Sequence, residues 1–186
     1  ENKIIKMGTD QRGYHQLAIN LMEHHEFTFK AGLPPIALRT PGYPLFIAII
    51  YKIFGLHPWI VIVVQILLDS LTALIIFFSI RNLLNDKIGF IGALIYAVDP
   101  HLILHSNSYY SETLFLFFLA LFLFHIILFY NSSNHKIREI IYSGVFLGLA
   151  TLVNPASAYL PLILSIFLLL SLRKKFWERL RYSIII

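Results

Sequence analysis

The sequence contains no cysteine. That removes a disulfide framework, a thiolate zinc site and a cysteine nucleophile, and it leaves the redox compartment open. Charge is scarce as well, with 15 basic and 10 acidic residues among 186. The motifs of nucleotide and acyl chemistry are missing: no Walker-type phosphate loop, no Gly-x-Gly-x-x-Gly after a strand, no Gly-x-Ser-x-Gly elbow. Nucleotide-driven chemistry therefore finds no support in the sequence.

What is abundant is apolar surface. Hydrophobic residues make up 58% of the chain and the mean hydropathy is +0.72, outside the range of soluble domains. An integral membrane protein follows. The net charge of +5 does not point to nucleic acid, because the basic residues stand in short clusters between apolar runs, as membrane topology places them. The chain opens on Glu1 and stops at Ile186 inside an apolar run, which reads as part of something longer.

Residues 1–57 read as an extracytoplasmic loop carrying interfacial helices, and residues 58–186 as a transmembrane region incomplete at its C-terminal end. From Asp10 to about His24, Tyr14, Leu17, Ala18, Leu21 and Met22 recur at helical spacing, which predicts a helix lying in the interface plane. Tyr43 to Phe54 is apolar but too short to span, and contains Lys52, so a juxtamembrane helix is expected. Spans are predicted over Pro58 to Leu84; Ile88 to Ala97, bending near Pro100 and continuing to Leu104; Glu112 to Tyr130; Ile140 to Val153; and Ala156 to Leu172. The expected fold is an all-α, multi-pass helix bundle with about five spans.

Arg81 with Lys87, Lys136 with Arg138, and Arg173, Lys174 and Lys175 fall on one side, which the positive-inside rule makes cytoplasmic. The opposite face receives the N-terminal stretch, the Asp99 to Glu112 loop and the Asn154-Pro155 turn. Trp59 marks the outer interface, and Trp177 and Tyr182 the inner. Asn131-Ser132-Ser133 matches a glycosylation acceptor but falls on the cytoplasmic side.

Polar groups near a bilayer are costly, so the few on the outer face are the candidates for chemistry. Asp10 and Glu112 each have a plain reading at a helix N-terminus, with Ser111 as the cap in the second case. Together on one face, two carboxylates can activate an acceptor hydroxyl or hold a divalent cation such as Mg or Mn beside a phosphate. Arg39 precedes Thr40-Pro41-Gly42-Tyr43-Pro44 at headgroup depth, where a guanidinium binds phosphate or simply snorkels. Arg12 and Lys30 are weaker candidates for the same work. Gln65, Asp69 and Thr72 share a helical face within a span, either as interhelical hydrogen bonds or as the polar path of a transporter or flippase. His101 and His105 stand at ligand spacing near Asp99, but Pro100 and the lack of a soft ligand argue against zinc. Gly144 and Gly148 form a Gly-xxx-Gly pattern expected to pack closely.

Asp10 with Tyr14 and Ala18, Arg39-Thr40-Pro41-Gly42-Tyr43-Pro44-Leu45-Phe46, Tyr51-Lys52-Ile53-Phe54-Gly55 and Ser111-Glu112-Thr113-Leu114-Phe115 resemble the GT-C glycosyltransferases. The nearest branch is the dolichyl-phosphate-mannose protein mannosyltransferase-like and aminoarabinose transferase-like membrane proteins. The resemblance implies transfer, with inversion, of a sugar from a dolichyl- or undecaprenyl-phosphate donor to an acceptor lipid, glycan or protein on the extracytoplasmic face. A bacterial or archaeal cell membrane is expected over the endoplasmic reticulum. Asp10 and Glu112 match the family's acidic positions, and Arg39 its donor-phosphate position, with Arg12 beside it. Asn154 stands where many relatives carry Arg, which argues against phosphate binding by that turn.

Overall fold

The computed structural model describes residues 9–30, 32–36, 39–132 and 136–171, with residues 9, 10, 164 and 167–171 described by their backbone alone. The described residues form eight α-helices and no strand. They are α1 (Thr9–His24), α2 (Gly42–Phe54), α3 (Pro58–Leu83), α4 (Asp86–Ala97), α5 (Pro100–Ser106), α6 (Glu112–Asn131), α7 (Ile137–Val153) and α8 (Leu160–Ser171), with a short 3-10 turn at Pro155–Ser157. Only a helix satisfies every backbone group inside a single apolar segment, so this is the form expected of the chain in lipid.

Of the expected spans, α3 with 26 residues and α6 with 20 are each long and apolar enough to cross a membrane. The predicted bend near Pro100 is a 60° break between α4 and α5, a pair apolar and long enough together either for a broken third span or for a re-entrant loop. It arises because Pro100 has no N–H to continue the ladder, and Asp99 instead accepts from the backbone N–H groups of His101 and Leu102. The two remaining expected spans are α7, with 17 residues, and α8, with 12 among the described residues. Arg173, Lys174, Lys175, Trp177 and Tyr182 lie outside the described residues. So does Ser133 of the acceptor-like motif, whose Asn131 donates through Nδ2 to the carbonyl of Asn82.

Large apolar side chains such as Leu67, Leu71, Leu74, Phe90 and Ile95 face outward from α3 and α4. Lipid removes the cost that water would put on them, and the helices must associate through fit and hydrogen bonds instead. Fit is visible between α3 and α4, where a Cβ on Gly89 would approach the Phe77 carbonyl oxygen to 2.9 Å and one on Gly92 would collide with Ile80. The close packing expected of the Gly144/Gly148 pattern is not found at Gly148, where a Cβ would meet open space. Small residues do mediate close helix approach here, but on α4.

α6 and α7 are clamped at one end by charge. Glu139 is buried, and its carboxylate accepts from His125 Nδ1 at 2.9 Å and Arg138 Nε at 2.8 Å. At the same end Arg81 pairs with Asp86 at 2.8 Å across the α3–α4 turn. The other end is joined by the proline block. Thr40 Oγ1 donates to the Val153 carbonyl at 2.7 Å, and a Cβ on Gly42 would stand 2.6 Å from the Leu152 carbonyl oxygen. Only glycine lets the start of α2 lie against the end of α7.

This contact predicts that Gly42→Ala lowers stability by about 1–3 kcal/mol through overpacking. Gly148→Ala, in open space within a helix, should be neutral or stabilising by up to ~1 kcal/mol. Thermal unfolding of the two variants in the same detergent checks both, and equal midpoints would refute the close approach.

Candidate active site

The end of the bundle built from α1, α2, the 107–111 connection and the α7 terminus gathers most of the residues that the sequence led us to expect on the outer face. α1 reverses into the following loop at His25, which has a positive φ of 57°. Asn20 then donates from Nδ2 to the Thr28 carbonyl at 2.7 Å, and Gly32 N–H donates to Glu26 Oε2 at 2.8 Å. This loop returns the chain to Arg39.

Arg39 lies against the first turns of α1. Its guanidinium carbon is 4.3 Å from the centroid of the Tyr14 ring, a cation–π contact, and a Cβ on Gly13 would touch it at 3.6 Å. Tyr14 meets Tyr43 edge to face, with centroids 4.8 Å apart. Tyr43 is fully buried. Burial pushes its phenol well above the ordinary value, and the nearby Tyr14 and Glu112 push it further in the same direction. Contacts therefore run from Arg39 through Tyr14 to Tyr43, and the charge of Glu112 reaches the Tyr43 phenol.

Asp10 occupies the first turn of α1, after Thr9 is already helical, so it does not hold the capping position open to it in the sequence. Its side chain lies outside the described residues. Arg12 is exposed on the same helix. Glu112 is in the first turn of α6, but Ser111 makes no side-chain capping bond, and its backbone is helical rather than extended. The expected Ser111 cap is thus replaced by an uncapped turn.

Gln65 joins the pieces. Its amide is completely buried; Oε1 accepts from Tyr43 Oη at 2.9 Å, and Nε2 donates to the carbonyls of Ser108 at 3.0 Å and Tyr110 at 3.4 Å. Asp69 accepts from Tyr96 Oη at 2.8 Å, and Thr72 donates back to the Leu68 carbonyl at 2.8 Å. The shared face of Gln65, Asp69 and Thr72 is spent on hydrogen bonds within and between helices. Thr72 also borders an apolar groove of about 520 Å³ lined by Ser79, Tyr96, Leu119 and Leu123. Asn154 Oδ1 accepts from Ala156 N–H at 3.0 Å and so caps the 3-10 turn.

A second hydrogen-bonded line was not visible in the sequence. Tyr109 Oη donates to the Pro58 carbonyl at 2.9 Å. Its single proton being used there, Tyr51 must donate to Tyr109 at 2.8 Å, and His15 Nδ1–H must donate to Tyr51 at 2.7 Å. The line ties α1, α2, the 107–111 connection and α3 together. Burial holds the His15 pKa below the ordinary 6.5 and raises Tyr51 to about 12. Tyr51 stands in the Tyr-Lys-Ile-Phe-Gly block, but its partners, His15 and Tyr109, are distant in sequence, so only the folded chain reveals them.

The family model described as dolichyl-phosphate-mannose-protein mannosyltransferase matches residues 38–186. The chain belongs to that family. It is therefore, at the level of the family, a membrane glycosyltransferase of the GT-C type. Within this mannosyltransferase family match fall Arg39, the proline block, Tyr109 and Glu112; α1, with Asp10 and Arg12, precedes it. No curated protein and no solved structure matches the chain.

Two outcomes follow. Gln65→Leu leaves the Tyr43 hydroxyl and two carbonyls without their buried partner, and should lower stability by about 1–3 kcal/mol in thermal unfolding. His15 is held neutral, so the unfolded chain takes up its proton first as pH falls through 6.5. The stability His15 contributes is complete above that value and declines below it; a His15→Gln variant should show a flatter decline in unfolding midpoint from pH 7.5 to 5.5 (about one unit on either side of the usual histidine range).

Proposed function

We propose that the protein transfers a sugar from a polyprenyl-phosphate donor to an acceptor hydroxyl or phosphate on the extracytoplasmic face, with inversion at the anomeric carbon. The observation that carries this reading is that Arg39, held on Tyr14 just before α2, and Glu112, in the first turn of α6, lie at the same end of a membrane bundle of the mannosyltransferase family although far apart in sequence.

In the proposed step the acceptor oxygen forms a bond to the anomeric carbon as the bond from that carbon to the phosphate oxygen breaks. The polyprenyl phosphate leaves with the electron pair. Glu112, with Asp10, takes the acceptor proton or orients the acceptor. Arg39, assisted by Arg12, neutralises the charge that grows on the departing phosphate, where a bidentate guanidinium is most effective. Tyr14 supports this role by holding the guanidinium against its ring.

The transporter reading draws less support, because Gln65, Asp69 and Thr72 already have partners within the bundle. Asp10→Asn, Glu112→Gln and Arg39→Ala in the intact protein should each reduce transfer by at least about a hundredfold. The assay is incubation with a panel of radiolabelled polyprenyl-phosphate hexoses and pentoses. Asp69→Asn should keep most activity; activity lost in Asp69→Asn but retained in Asp10→Asn and Glu112→Gln would favour transport instead.

A further inference from the structure

His105 ends α5 and Glu112 begins α6, and the short 107–111 connection folds one over the other. His105 Nδ1 and Glu112 Oε2 are 3.6 Å apart. Both atoms are buried, and neither has a hydrogen-bond partner. Two buried polar atoms left unpaired each cost free energy, so a carboxylate oxygen and a ring N–H in this relation stabilise each other when they close. The gap is slightly longer than a hydrogen bond, as is common for catalytic pairs before substrate tightens them.

The surroundings favour such a role. The Tyr110 ring packs against the imidazole, with centroids 5.1 Å apart, which limits how the ring can turn. The Glu112 side chain is 41% exposed although its Oε2 is buried, so the exposure falls on the rest of the side chain. Asp99, which would complete a metal set with the two histidines, is occupied capping α5.

We infer that His105 is a positioning residue for glycosyl transfer: its Nδ1–H holds Glu112 Oε2 and thereby aims Oε1 at the acceptor. This rests on the reading of Glu112 as the acid–base group.

The test compares His105→Phe, His105→Asn, Glu112→Gln and the His105→Phe/Glu112→Gln double variant in the intact protein. The donor is the most active labelled member of the polyprenyl-phosphate sugar panel, and monodispersity in detergent monitors folding. His105→Phe keeps a ring beside Tyr110 but no donor, and should lower kcat by roughly ten- to a hundredfold with the donor KM unchanged. His105→Asn restores an N–H donor and should recover most of that loss. The double variant should be no worse than Glu112→Gln alone, as for residues that act as a unit. Full kcat in His105→Phe, or His105→Asn as poor as His105→Phe, overturns the positioning role while Glu112→Gln stays inactive. An active Glu112→Gln overturns the reading beneath it.

Discussion

A single buried amide organises one end of this molecule. Gln65 sits on α3 with its side chain closed off from solvent, yet it satisfies a tyrosine of α2 and two carbonyls of the connection that leads into α6. In a bilayer, apolar packing alone gives helices little reason to choose one another, since lipid tails are as apolar as leucine. A polar side chain that must find partners supplies that choice. Around Gln65 the juxtamembrane helix, the first long span and the 107–111 connection are held in one arrangement, and that arrangement sets Tyr43 edge to face on Tyr14 at the end of the bundle where α6 begins with Glu112.

The two ends of the bundle are built differently. One has ion pairs and amides: Arg81 with Asp86, the buried Glu139 with His125 and Arg138, and Asn131 on the Asn82 carbonyl. The other has phenols, a histidine and the proline block, linked by hydroxyl bonds and edge-to-face rings. The second end is the one that also holds Arg39 and Glu112. Tyrosine suits such a place because its ring packs as an apolar body while its hydroxyl reaches a partner.

The proline block shows how a family motif can have structural causes. Thr40 bonds the Val153 carbonyl, Gly42 permits contact with the end of α7, Tyr43 bonds Gln65, and Arg39 just before them rests on Tyr14. Four neighbours thus join α2 to α7, α3 and α1 and hold one guanidinium against a ring. The motif is readable as a string, but its reasons lie in residues far along the chain.

Helix positions were legible in the sequence because they follow from local rules: apolar run length, proline placement and helical spacing mark α1, α2, α3, α6 and the break at Pro100 without reference to partners. Glu112 and Arg39 were legible as scarce polar groups next to apolar runs. Which small residues pack closely was not, for a Gly-xxx-Gly pattern on α7 and the glycines of α4 look alike until a neighbouring helix is in place. The same holds for His15, Tyr51, Tyr109 and His105, common residue types whose roles come from a partner's distance. Hydropathy and backbone chemistry are carried residue by residue along the chain. Hydrogen-bond partners and close approaches depend on how separate helices dock, and no local stretch contains that information.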